Sequence, residues 1–172
     1  MRFQVRVLPL LFLLPYGLGV SDCARAATLS VQATLLPACE AGTVTSGAIS
    51  YGTLNFGNYA SLNSVINATS AQLAGSIRVK CVNGLSYKIF MDGGKSGSVT
   101  NRTMVNTTNT SLTVLYNLYT DAARATVWNN TVGVSDVGNG ADQWHTVYGR
   151  VPSQTTPAAG IYSDTVNVTV SW

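Results

Sequence analysis

Apolar and polar residues alternate in two stretches near the ends of the chain, with Asp164 the one charged residue in the apolar register. Near the N-terminus, Leu29, Val31, Ala33 and Leu35 alternate with Thr28, Ser30, Gln32 and Thr34; near the C-terminus, Tyr162, Asp164, Val166, Val168, Val170 and Trp172 alternate with Ser163, Thr165, Asn167, Thr169 and Ser171. Successive side chains of a strand point to opposite faces, so both stretches read as half-buried β-strands. Between them, Ile77, Val79 and Cys81 alternate, Asn83-Gly84 supplies turn chemistry, and Leu85, Tyr87, Ile89 and Met91 share a face. That pattern predicts a hairpin over residues 76–91.

The rest of the chain follows the same period of two. Gly42 to Gly47 reads as a loop, and Ile49, Tyr51, Leu54 and Phe56 as a short strand kinked at Gly52. Residues 60–72 carry no decisive pattern. Arg102 to Val105 predicts a short edge strand, Leu112 to Tyr119 a central one, and Ala125 to Trp128 a short piece. Gly133 to Asp142 is rich in turn residues, and Trp144 to Val151 predicts one strand closed by Pro152. Short strands between Gly- and Asn-rich turns, with no period of 3.6, predict an all-β sandwich in a single domain.

The first residues stand apart. Arg2 and Arg6 precede an apolar run from Val7 to Val20, and Ala24-Arg25-Ala26 offers a small-residue cleavage site, so residues 1–26 read as a signal peptide cut after Ala26. The run falls short of the roughly 20 residues that span a bilayer. The mature chain is expected to be exported and soluble. Removing the signal leaves seven basic and six acidic residues, a balance of +1, which favours neither nucleic acid nor an anionic membrane as partner. Of three cysteines, Cys39 and Cys81 remain as a pair; with no CxxC and a single histidine, an oxidised bridge is preferred over a metal half-site or free thiols.

Candidate chemistry is sparse. His145 is the only histidine and lacks a partner that spacing could identify, so a catalytic role is not expected. Asp136, Asn139 and Asp142 bracket glycines without the alternating spacing and terminal glutamate of a calcium loop. Gly94-Lys95-Ser96 lacks the earlier glycine and following helix of a phosphate-binding loop. Trp128, Trp144 and Trp172, with Tyr116, Tyr119, Tyr148 and Tyr162, could stack sugars or fill a core, and core packing is preferred. Asn-x-Ser/Thr triplets at Asn67, Asn101, Asn106, Asn109, Asn129 and Asn167 arise readily in a Thr- and Asn-rich chain. No metal or cofactor is expected, and the chain is not read as an enzyme.

A set of short motifs carries a resemblance. Phe56-Gly57-x-Tyr59, Arg102-x-Met104, Leu115-Tyr-x-Leu-Tyr119 with Asp121, Arg124 and Trp128, then Tyr148-Gly-Arg-x-Pro152 and Gly160-x-Tyr162-x-Asp164 occur in order across nearly the whole mature chain. In this the chain resembles the spore coat protein U domain family, which includes subunits of archaic chaperone-usher pili of the Csu type. The resemblance implies an immunoglobulin-like sandwich lacking its last strand, a periplasmic chaperone that first fills the groove, and an outer-membrane usher where the next subunit's N-terminal strand replaces it. It further implies a head-to-tail polymer on the surface of a Gram-negative cell, serving attachment and biofilm formation.

Carried onto this chain, residues 27–38 become a donor extension and residues 39–172 the pilin domain. Leu29, Val31, Ala33 and Leu35 become the donor side chains; Val166, Val168, Val170 and Trp172 lie on the strand flanking the acceptor groove. Alternation alone fits a self-completed sandwich equally well. Two features lean toward donation: no further strand is encoded after Trp172, and Pro37 with Cys39 marks a break. A spore-coat or surface-layer protein of the same fold, and a secreted carbohydrate-binding module, are the alternatives.

Overall fold

The structure, a computed structural model, describes residues 30–45 and 48–172. The expected signal segment 1–26 lies outside the described residues, as does the donor residue Leu29. The chain divides into two compact units, the first ending at Thr34 and the second running from Leu35 to Trp172. Of the first unit residues 30–34 are described; they carry no helix or strand, and Val31 is 85% exposed. Alternation prepares a stretch for a sheet, but only a neighbour that takes its N–H and C=O groups makes it a strand.

All the described strands belong to the second unit: β1 (Cys39–Ala41), β2 (Thr43–Thr45), β3 (Ala48–Ser50), β4 (Ile66–Thr69), β5 (Ile77–Cys81), β6 (Ser86–Met91), β7 (Arg102–Asn106), β8 (Thr113–Tyr119), β9 (Val134–Val137), β10 (Gln143–His145), β11 (Tyr148–Val151), β12 (Tyr162–Ser163) and β13 (Val168–Ser171). A single 3₁₀ turn at Gly94–Ser96 is the one helical piece among the described residues. The sheets run β12-β7-β8-β11-β4, β1-β5-β10 and β13-β6-β9, with β2-β3 as a separate hairpin, and every strand pair is antiparallel. One core joins the three larger sheets: Ile77, Val79 and Cys81 of β5, Tyr87, Ile89 and Met91 of β6, and Val114, Tyr116 and Leu118 of β8 are all buried in it. Each such burial is worth about 1.5–3 kcal/mol for the larger side chains. The chain is all-β, as the period of two predicts.

The expected bridge is present. Cys39 opens β1 directly opposite Cys81 at the end of β5, and the two are joined across a separation of 42 residues. Closing a loop of that length stabilises the folded chain by about 4 kcal/mol on the chain-entropy model.

Several strands depart from the expected organisation, and most departures share one cause. Alternation continues when a strand leaves one sheet for another, so the sequence pattern does not mark the switch. Residues 144–151, expected as one strand, divide into β10 and β11 in different sheets. At the break, Val147 N donates to Ser70 Oγ (2.8 Å) and Ser70 N donates to the Val147 carbonyl (2.9 Å). The terminal strand likewise divides into β12 on β7 and β13 on β6. Asn83-Gly84 does make a tight turn, but β5 and β6 lie in different sheets and form no hairpin.

Other corrections are local. The loop expected over 42–47 contains β2, and the turn-rich stretch 133–142 contains β9. Residues 51–59 form no strand. Residues 125–128 contribute only a single bridge, Tyr119 to Val127, because Asp121 takes the Ala125 and Thr126 amides into a turn (3.1 and 2.8 Å). β7, expected as an edge, is covered in part, since β12 pairs with its Val105 and Asn106.

Arg102 ties the layers together. It is fully buried, in phase with Met104 on β7, and its guanidinium donates to the Asp92 carbonyl (2.9 and 2.6 Å), the Trp128 carbonyl (2.8 Å) and Asn117 Oδ1 (2.7 Å). Asp92 directly follows β6, so these bonds join the five-stranded sheet to the sheet of β6 and β13. Trp128 adds a second tie: its amide donates to Leu118 O on β8 (2.9 Å) and its indole N–H to Ile89 O on β6 (3.0 Å). Burial lowers the Arg102 pKa, with Tyr116, Asp92 and Asp164 opposing. Arg102→Met is expected to cost about 3–5 kcal/mol by stranding buried acceptors, and Arg102→Lys not to restore it, because an ammonium cannot match the planar fork. Urea unfolding checks this; a loss under about 1 kcal/mol for Arg102→Met contradicts the role.

Candidate functional site

The terminal strand presents an unfinished surface. Val166, Val168 and Val170 pack against the core yet stay half-buried, while Thr165, Asn167, Thr169 and Ser171 between them are exposed and Trp172 is 57% exposed. Among the described residues β13 pairs only with β6, so its outer edge carries unpaired N–H and C=O groups beside that apolar face. These are the four residues expected to flank an acceptor groove. Of the expected donor residues, Val31, Ala33 and Leu35 are exposed, Leu35 at 94%.

The opposite edge of the same sheet is treated differently. There β9 meets β10 of the neighbouring sheet through side chains: Gln143 Nε2 donates to the Val137 carbonyl (3.0 Å) and to Asp136 Oδ2 (3.2 Å). The Tyr87 hydroxyl donates to Asp136 Oδ2 (3.3 Å) and lies 2.9 Å from His145 Nε2. The Gly138 amide extends the β6–β9 ladder to Leu85 (2.8 Å), and the Gly140 amide ties the loop after β9 to Cys81 at the end of β5 (3.1 Å). An unprotected strand edge invites pairing with another chain, and here side chains bridge β9 to the neighbouring sheet at Asp136 and Val137.

The position of β13 depends on the crossover at residues 164–167. Asp164 accepts from the Tyr116 hydroxyl at Oδ2 (2.7 Å) and from the Lys95 amide at Oδ1 (2.9 Å). Asp92 accepts from the Gly94 and Asn167 amides at Oδ1 (both 2.9 Å) and from Asn167 Nδ2 at Oδ2 (2.7 Å). Burial works to raise the Asp92 pKa, but the bonds from Gly94 and Asn167, with the Arg102 charge, outweigh it and lower it. Gly94 has a left-handed φ of 59°, and a Cβ there would lie 2.1 Å from Asp164 Oδ2, so the turn needs glycine.

The other candidates take structural places. His145 belongs to the β9–β10 seam. Asp142 is paired with Arg78 (2.7 Å), Asn139 caps Ala141, and no metal-ligand cluster occurs among the described residues. Trp128 and Tyr116 are core residues, Trp144 is half-buried on β10, and Trp172 is the one tryptophan largely exposed, so the three make no exposed platform. A surface hollow lined by Leu115, Tyr119, Arg150 and Pro152 holds about 130 Å³, below the roughly 300 Å³ at which small-molecule pockets begin. Asn106 is buried and caps Thr108 and Asn109, and Asn129 caps Thr131 and Val132. The roles of Asp92 and Asn167 were not read from the sequence. Their visible signal is an Asp-Gly-Gly turn and one asparagine within a run of valines.

The seam carries a pH dependence. Burial lowers the His145 pKa, partly offset by Asp136 at 3.7 Å, and burial with the Asp136 charge pushes the Tyr87 hydroxyl up to about 12. The unfolded chain thus accepts a proton that the folded chain resists. The His145 contribution is complete above its unfolded value near pH 6.5 and is lost as pH falls through the lower folded value. The urea midpoint is expected to fall between about pH 7.5 and pH 5.5 and the fall to flatten in His145→Gln; a wild-type midpoint constant over that window contradicts it.

Comparison with known proteins places these features. The sequence profile of the Spore Coat Protein U domain matches residues 25–169. Protein U of Myxococcus xanthus is 34% identical over 157 residues, covering 85% of this chain and 84% of the relative. Among solved structures, the chain resembles one from the CsuC–CsuE chaperone–tip adhesion subunit pre-assembly complex of archaic chaperone-usher Csu pili of Acinetobacter baumannii. That match has a TM-score of 0.50 at 21% identity and covers 81% of this chain but only 40% of the solved one, a likeness of fold. A chaperone–tip adhesin complex of CFA/I fimbriae biogenesis matches at a TM-score of 0.47 and 11% identity.

Proposed function

The chain belongs to the Spore Coat Protein U domain family, and from that premise we propose that it is a structural subunit of a chaperone-usher pilus, polymerising by donor-strand exchange. In this reading residues 27–36 of one copy add as a strand to the outer edge of β13 of the next, with Leu29, Val31, Ala33 and Leu35 completing the face begun by Val166, Val168 and Val170. The observation that carries it is the pairing of opposites: a bare strand edge over half-buried valines, and an alternating segment whose Val31 and Leu35 are 85% and 94% exposed. Main-chain bonds along an added strand supply affinity, and alternate side chains supply register. Because donor and acceptor are different surfaces, the contact repeats head to tail without closing, which builds a filament.

A bare edge also aggregates unless covered, so a periplasmic chaperone occupies it before assembly and an outer-membrane usher is the place of exchange. The fibre stands on the surface of a Gram-negative cell and serves attachment and biofilm formation. The product is a scaffold, and none of its residues is assigned to catalysis. The 34% identity to Protein U favours one alternative, a spore-coat or surface-layer protein that uses the same fold without an usher.

A mature chain lacking residues 27–36 can accept a strand but cannot donate one. Added below stoichiometry to the intact chain, it is expected to cap growing polymers and shorten them, as read by light scattering after size-exclusion chromatography. Polymers of unchanged length, or polymerisation of the truncated chain alone, would sink the proposal.

A further inference from the structure

The crossover at residues 164–167 does more than connect two sheets. β12 is only two residues long and β13 four, and the valines between and within them are only half-buried. Strand pairing and packing therefore give this segment a weak hold. Two carboxylates supply the rest: Asp164 is bound by Tyr116 of β8 and the Lys95 amide, and Asp92 holds the amide and side chain of Asn167. Both are linked to the buried core, Asp164 through Tyr116 and Asp92 through its carbonyl on Arg102.

We infer that Tyr116, Asp164, Asp92 and Asn167 form a clamp that positions the β13 edge for the incoming strand of a second copy. This rests on the strand-accepting reading above and names the positioning residues for that step. Strand addition needs the N–H and C=O groups of β13 aligned in advance; an edge that wanders must be ordered at the moment of binding, and that cost appears as weaker affinity. The clamp grips the residues immediately before β13, where small displacements would shift every later hydrogen-bond position by the same amount. Tyr116 and Asn167 are thus positioning residues that act through the crossover, and the argument requires no contact between them and the donor.

The molecule contains its own control. Tyr87 also hydrogen-bonds a carboxylate, that of Asp136, but at the β9–β10 seam on the far side of the same sheet. Tyr116→Phe and Tyr87→Phe therefore make the same chemical change at the open edge and at the bridged one, keeping both rings in the core. Asn167→Ala loosens the clamp from its exposed end. The probe is a fluorescein-labelled peptide of residues 27–38, whose binding to the mature chain is followed by anisotropy, alongside the urea midpoint of each variant.

Tyr116→Phe and Asn167→Ala are expected to weaken peptide affinity about tenfold, the scale of one charge-assisted hydrogen bond, while Tyr87→Phe leaves affinity at the wild-type value even where it lowers the midpoint. If the wild type binds and all three variants lose affinity in proportion to their loss of stability, or if Tyr116→Phe and Asn167→Ala bind as wild type, the clamp is refuted and strand acceptance stands. A wild-type chain that neither binds the peptide nor polymerises overturns strand acceptance itself, and the clamp with it.

Discussion

A buried guanidinium that meets no carboxylate among the described residues is expensive, and Arg102 is tolerable because several carbonyl and amide oxygens converge on it. Those acceptors come from separate parts of the chain: Asp92 after β6, Asn117 on β8 and Trp128 in the loop beyond it. The requirement to satisfy one charge therefore fixes the spacing between the five-stranded sheet and the sheet that ends in β13. The same Asp92 whose carbonyl serves Arg102 uses its carboxylate to hold Asn167. One buried cation and one bifunctional aspartate thus connect the centre of the core to the last crossover of the chain.

That connection gives the two edges of the β13-β6-β9 sheet opposite characters. At β9, Gln143, Tyr87, Asp136 and His145 bridge to the next sheet, with Gln143 taking the Val137 carbonyl on the edge itself. At β13 the side chains stop at the crossover and the ladder beyond is open. The asymmetry suits a strand-accepting domain: one place where a further strand gains hydrogen bonds and burial, with the other edge bridged to the next sheet by side chains. The disulfide contributes at the other end of the unit. It pins Cys39 to the buried Cys81, so that the exposed segment before it leaves from a fixed point.

Much of the fold is legible in the sequence where alternation and burial coincide. β5, β6 and β8 lie close to where their apolar residues predict, and cysteine economy alone leads to the Cys39–Cys81 bridge. What alternation cannot carry is which sheet a strand joins. Residues 144–151 and 162–172 keep their period through a change of partner, and Asn83-Gly84 turns the chain equally well within a hairpin or between sheets. The stabilising details at these switches, Ser70 at Val147 and Asp92 at Asn167, join residues about 75 positions apart, beyond the reach of local pattern. Trp128 is legible as a core residue, but Arg102 only as a member of a family motif. Its reason, acceptors gathered from three chain segments, exists only in three dimensions.

The central claim is that residues 27–36 finish a neighbour's sheet rather than their own. Amide hydrogen exchange on the mature chain, compared between dilute monomer and polymer, tests it directly. The account predicts that residues 29–35 and the outer amides of β13 exchange fast in the monomer and become protected together as polymer forms. Protection of both stretches in the monomer, independent of concentration, would show a self-completed domain and contradict the account.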